Sequence, residues 1–423
     1  MTTPFKLSGI LMLCLMTLFY SCKKTTKEEA ITQHQGLATA AGQAEETGIA
    51  VTIGAAGGTL ESTDGQLHIS IPAGAVSGQT TFSIQRISNT NIAGIGAAYR
   101  LLPHGTRFSE PLTLTFKYDT TDLAGTALAA VGIAFQDDNG VWQGSGALAD
   151  TSSGTLSITT THFSDWSLFK SFAVIPVTAS VAPGQNLSLH VVNFMSDEDL
   201  IPPVPGATKA IGPQQSMMNQ YIKKWELGGA GTLQPNGSEA TYTAPDAIPT
   251  QNPVAVSVTL EGPGKAKYLL VSNIYIGTEG VTFRIDNGPW RHGTIPIGGI
   301  VEAAGFHNLD AAIEPLNENE TFGALSLKWS GYPSEGFLSW GTTMPWFNYS
   351  PTGSNVSYHQ FMIVGSSVVP SPGGITFSQY TETAGGDIIG SFILEKAGRQ
   401  TVTATGSTWA QVKIEGFFKT KRK

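Results

Sequence analysis

Short runs of alternating apolar and polar residues, broken every few positions by glycine or proline, restrict this chain to β-structure. Val51-Thr52-Ile53, Leu67-His68-Ile69-Ser70-Ile71 and Thr81-Phe82-Ser83-Ile84 put an apolar side chain at every second position, the period of a strand with one face in a core. Pro72-Ala73-Gly74-Ala75 ends the second run, because proline has no amide hydrogen for the ladder and glycine admits the turn. The pattern persists to Gln411-Val412-Lys413-Ile414-Glu415 near the C-terminus, and no heptad stretch or long amphipathic helix interrupts it. With 49 Gly, 23 Pro and 13% charged residues in 423, the expectation is an all-β chain of three tandem β-sandwich-type domains. Their expected bounds are 48–170, 171–278 and 279–423. A formal charge of -8 argues against nucleic acid as a partner.

Ahead of the first domain the chain changes character. Lys6 precedes an uncharged apolar run from Leu7 to Tyr20, too short to span a bilayer comfortably, which is the signature of a signal-peptide core. The run ends at Ser21-Cys22, and Leu18-Phe19-Tyr20-Ser21-Cys22 resembles the lipobox of bacterial lipoproteins. That resemblance implies cleavage after residue 21, lipidation of the Cys22 thiol and attachment to a membrane through the N-terminal lipid. Lys23 after the cysteine, by the same resemblance, implies the outer membrane, and Lys27-Glu28-Glu29 is similar to signals for display on its outer surface. Cys14 would leave with the signal peptide and Cys22 be taken by lipid, so the mature chain would have no thiol for a disulfide. Residues 22–47 lack apolar periodicity and read as a flexible tether.

Three further resemblances rest on groups of motifs. Gly57-Gly58-Thr59-Leu60, Leu67 to Ile71, Pro72-Ala73-Gly74-Ala75 and the run from Phe108 to Phe116 together resemble the ZU-five domain, a β-sandwich. Lys224-Trp225-Glu226-Leu227 followed by Ala240-Thr241-Tyr242-Thr243-Ala244-Pro245 is similar to immunoglobulin-like modules of bacterial surface proteins, with Trp225 as core filler. Ile375 to Tyr380, Gly385 to Phe392 and the closing strand look like a C-terminal β-domain of Gram-negative surface lipoproteins. Between the second and third strands of the middle domain, residues 195–220 form a long insertion carrying Asp197-Glu198-Asp199, read as a solvated loop.

Candidate chemistry is sparse. His162-Phe163-Ser164 matches, residue by residue, a sequence that in some ZU-five proteins breaks its own backbone between Phe and Ser. The resemblance implies Ser164 as nucleophile on the Phe163 carbonyl and His162 as general base. The structural alternative makes Phe163 and Trp166 core residues. Asp137-Asp138-Asn139-Gly140 reads as a hairpin turn, since Asn-Gly supplies the positive φ such a turn needs, in preference to a calcium site. Trp340, Trp346 and Tyr349, in a loop-like stretch beside Pro345, are the candidate aromatic platform for a glycan. The histidines never occur at i,i+2 or i,i+4, and no metal site or cofactor is expected. The reading is a lipid-anchored envelope binding or adhesion protein with a glycan or protein ligand. Self-cleavage is the second reading, and a glycan-directed enzyme in the last domain the third.

Overall fold

Where the alternation is strict, a strand forms with its apolar side inward. The computed structural model describes residues 36–118, 122–195, 200–296, 298–331 and 336–423. The chain is all-β, with several sheets and no α-helix among the described residues. The lipobox with Cys22, the first part of the tether and Asp197-Glu198-Asp199 lie outside the described residues.

The first domain is a sandwich. One sheet runs through Ile49–Ile53, Thr80–Ile87, Gly94–Leu102, Asp165–Lys170, Val131–Gln136 and Trp142–Ser145. The other runs through Gly58–Glu61, Leu67–Ile71, Arg107–Lys117, Thr155–His162 and Leu148–Asp150. Register carries the sequence period into the core: Leu67 lies opposite Phe116 and Ile69 opposite Leu114, all buried with Phe82, Ile84, Leu156 and Phe163. Each such side chain contributes about 1.5–3 kcal/mol by leaving water.

Two expectations change here. The tether does not stay free along its whole length, because 36–47 lies as a strap on the first sandwich and on the insertion from the middle domain. Leu37 N–H donates to Ile211 O (3.0 Å), Thr39 N–H to Gly140 O (2.9 Å) and Glu45 N–H to Arg86 O (3.0 Å). The strap lacked a sequence signal because main-chain hydrogen bonds place no demand on apolar periodicity.

The insertion is likewise not a solvated loop over its described part. Lys209–Ala210 pairs with the edge strand Trp142–Ser145 of the first domain, and Ile211 N–H donates to Trp142 O at 2.8 Å. Met195, Leu200, Ile211 and Met217 are buried, and Met195 and Ile211 join Trp142, Phe169, Val192 and Phe194 in a cluster shared by both sandwiches. Buried apolar residues at intervals along its described part hold it down.

The middle domain packs Phe172–Ile175, Asn186–Asn193, Glu239–Thr243 and Thr232–Asn236 against Thr178–Val181, Lys267–Ile276, Val254–Glu261 and Ile222–Gly228. Trp225 is core filler as expected, and its Nε1–H donates to Gly237 O at 2.9 Å. The next junction is aromatic. Tyr275 and Phe417 rings lie 4.8 Å apart, and a Cβ on Gly277 would meet the Phe417 ring at 2.6 Å, so only glycine admits this approach. Trp290 Nε1–H donates to Thr250 O (3.2 Å) with the Arg284 guanidinium 4.6 Å over its ring.

The last domain is a closed barrel and not a sandwich. Gly280–Ile285, Arg291–Thr294, Phe306–Ile313, Gly323–Ser330, Trp346–Pro351, Val356–His359, Asp387–Thr403 and Gly406–Lys421 pair in turn, and the last pairs with the first. Closure follows from the length of the final hairpin: its first strand takes Gly373–Gln379 beside its near half and Val356–His359 beside its far half. A closed ladder leaves these strands no free edge. Leu309, Leu325, Leu327, Trp329 and Phe347 fill the interior.

Candidate functional site

His162-Phe163-Ser164 sits where the second sheet of the first sandwich loses register. Thr160 lies opposite Leu112, yet His162 lies opposite Arg107, so the facing strand bulges between those two residues. The ladder stops at His162, and the chain turns into the other sheet at Asp165.

The three residues face different surroundings. His162 is half-buried, with its ring edge-on to Phe135 (4.7 Å between centroids) and tilted on Trp166 (5.4 Å). Its Nδ1 lies 3.0 Å from Thr160 Oγ1. When Thr160 donates there, the imidazole proton sits on Nε2. Burial holds the His162 pKa below its usual 6.5, and the positive field of Arg107 adds to this. Phe163 is 1% exposed and packs edge-on to Phe82 (5.4 Å) and Phe108 (4.9 Å). Its N–H donates to Thr106 O (3.0 Å), and its carbonyl accepts from Gly105 N–H (3.1 Å). The buried Ser164 hydroxyl donates to Gln136 O, and Ser164 O accepts from Leu101 N–H (3.0 Å).

The imidazole and the serine hydroxyl thus have separate partners, Thr160 and Gln136. Among the described non-glycine residues, positive φ occurs at Lys265, Asp286 and Ala304, so the 163–164 peptide is not flanked by left-handed backbone. Beside it, Arg100 clamps the buried Asp165 carboxylate with two hydrogen bonds (2.9 and 2.7 Å) and reaches Gly42 O in the strap (3.1 Å). This pair fixes the start of the strand just after Ser164.

The aromatic platform does not assemble. Trp340 and Tyr349 are 5% and 2% exposed and belong to the barrel core. Trp340 Nε1–H donates to Ile393 O at 2.6 Å. The stretch read as loop-like is the strand Trp346–Pro351, in which Phe347 and Tyr349 point inward and Trp346 outward. Residues 346 and 349 differ by an odd number, so strand geometry puts them on opposite faces. The outward Trp346 is half-buried, with Lys328 Nζ 5.0 Å from its ring centre.

Asp137-Asp138-Asn139-Gly140 forms the expected turn, with Gly140 at φ +78°. Asp137 Oδ1 accepts from the amides of Asn139 and Val141, both at 2.9 Å, and Oδ2 from Gln143 Nε2 at 2.8 Å, so the carboxylate serves the turn. The sequence reading missed the cluster of Phe135, His162 and Trp166. Its one available signal was that Phe135 shares the inward parity of Val131 and Ile133. No family model matches the chain. No curated protein matches it either.

Proposed function

We propose that this chain is a binding or adhesion protein of the bacterial envelope, lipidated at Cys22 and held in the outer membrane, whose β-modules carry a contact surface away from the anchor. The observation that carries the reading is on the barrel. From 336 to 381 the chain has no Asp, Glu, Lys or Arg, and within it the hairpin Phe361–Val364/Ser367–Pro370 pairs outside the barrel ladder. Val364 and Val368 are 52% and 46% exposed, and Ile363 and Val369 are exposed with them. A two-stranded hairpin is marginal alone, and this one is tied down by Ser371 N–H on Gln360 O (2.7 Å) and by Phe361 against His359 and Trp409. Exposed aliphatic side chains on a secured support suit contact with a protein or glycan ligand. The interlocked sandwiches support a spacer role, since the shared cluster around Trp142 and Ile211 limits bending between them.

Cys22→Ala is expected to move the protein from the membrane fraction to the soluble one, because one lipidated residue would supply the attachment. Unchanged membrane partition of that variant overturns the anchor. Added back to cells, the released protein should bind them, and Val364→Glu with Val368→Glu should weaken binding at least about tenfold with unchanged melting.

Self-cleavage is the second reading, favoured by two details: burial keeps His162 neutral and able to accept a proton, and Gly105 N–H already touches the Phe163 carbonyl. It requires the Ser164 hydroxyl to leave Gln136 O. Mass spectrometry of purified protein separates the readings. An intact chain after prolonged incubation is the outcome expected from the separate partners of His162 and Ser164. A fragment beginning at Ser164 that disappears in Ser164→Ala would establish cleavage instead.

A further inference from the structure

Phe135 departs from its neighbours. Val131, Ile133 and Phe135 share the inward face of one strand, yet the first two are buried and Phe135 only partly so. The cause is the register break at Thr160 and His162, which opens the second sheet over this end of the sandwich. A cleft of about 260 Å³ results, with Pro111 and Ile158 on one side and Ile133, Phe135 and Trp166 on the other. Gly206 and Thr208 of the docked insertion close it laterally, and Gly206 N–H donates to the Ser145 hydroxyl (3.3 Å) to hold that wall in place. The cleft is therefore shared between an aromatic floor from the first domain and a flap from the second.

Its chemistry narrows the ligand. Among the described residues no carboxylate, ammonium or guanidinium lines the cleft, and His162, the one titratable group among them, is held neutral by burial. A charged ligand would lose its hydration with no counter-ion in return, a cost that excludes tight binding of ions. The floor offers the rings of Phe135, His162 and Trp166, which favour offset or edge-on packing with another ring. Thr159, Thr161 and Thr208 border the mouth. Apolar cavities of about 150 Å³ accept benzene, so a volume of 260 Å³ holds one ring with a short substituent.

We propose that this cleft is a binding site for a small uncharged ring compound, its ring seated on Phe135, His162 and Trp166 and its single oxygen at the threonine-bordered mouth. The assignment goes beyond the surface-contact reading and does not depend on it. The test is titration of the purified full chain by calorimetry and ligand-observed NMR with benzyl alcohol, toluene, benzoate and benzylamine. Benzyl alcohol is expected to saturate one site in the millimolar range, more tightly than toluene, with benzoate and benzylamine at least about tenfold weaker. Thr161→Trp and Thr208→Trp, two exposed positions where a larger side chain covers the mouth without entering the core, should each weaken benzyl alcohol at least about tenfold. Melting curves identify the variants that fold, and either one suffices. The proposal is overturned by absence of saturable binding, by unchanged affinity in a folded variant, or by benzoate or benzylamine binding as well as the alcohol. Toluene binding as tightly as benzyl alcohol overturns the role of the bordering threonines.

Discussion

Phe163→Ala should unfold the first sandwich well before the rest of the chain. The ring is fully enclosed, touching Phe82 and Phe108 edge-on, and its main chain bonds Thr106 on one side and Gly105 on the other. Replacing it leaves a cavity that a sheet pinned by those bonds cannot close. Phe→Ala in such a core costs about 3–5 kcal/mol. Set against the 5–15 kcal/mol of a typical domain, this should lower the first melting transition by on the order of 10 °C. Phe163→Leu keeps most of the volume and should cost much less. A first transition unmoved in Phe163→Ala would mean that the ring is not the keystone its burial implies. The result also bears on any cleavage assay, since loss of a fragment in a Phe163 variant would report unfolding as readily as chemistry. Ser164→Ala is the cleaner probe, although it strips Gln136 O of a buried donor at about 1–3 kcal/mol.

The legible parts of this chain were those in which side chains alone determine structure. Alternation in Leu67–Ile71 and Val254–Glu261 gave strands whose buried positions are those the period assigns. Asn139-Gly140 gave its turn, and Trp225 its place in a core. What escaped were features set by pairing between distant segments. Barrel closure depends on Asp387–Thr403 being long enough to take two neighbours in succession, and no local pattern states which strands those will be. The strap at 36–47 is held chiefly through backbone groups, which every residue carries. The parity of Trp346 and Tyr349 was available in principle. Pro345 and the polar residues around it concealed a strand, and with the strand went the rule that separates their faces.

Removal of residues 421–423 is expected to open the barrel, because these residues are its latch. Lys421 O accepts from Ile300 N–H (2.8 Å), Arg422 N–H donates to Gly386 O (2.9 Å), and Gly385 N–H donates to Arg422 O (2.7 Å). Inside, the Arg422 guanidinium, 7% exposed, donates to His307 Nδ1 (3.0 Å) and to Glu302 (2.6 Å), while the His307 ring stacks on buried Trp329. Truncation deletes these three main-chain bonds together with that from Lys423 N–H to Ile300 O (3.1 Å), four in all, and withdraws a charged donor from a buried imidazole. At about 1 kcal/mol net for each bond and about 1–3 for the deserted acceptor, the loss is about 5–7 kcal/mol. The same contact makes the barrel acid-sensitive. Burial first, and then the charge of Arg422, hold the His307 pKa below 6.5, so the unfolded chain takes up a proton that the folded one refuses. Stability from this group is complete above pH 6.5 and declines as pH falls from there through the folded pKa. His292 and His359, also lowered by burial, act in the same sense, so His307→Gln should flatten the fall of melting temperature between pH 7 and pH 5 without abolishing it. Glutamine can still accept from Arg422, which separates loss of titration from loss of the bond. A His307→Gln profile parallel to that of the unaltered chain would place the acid sensitivity elsewhere, and a truncated chain melting with the full one would remove the C-terminus from barrel closure.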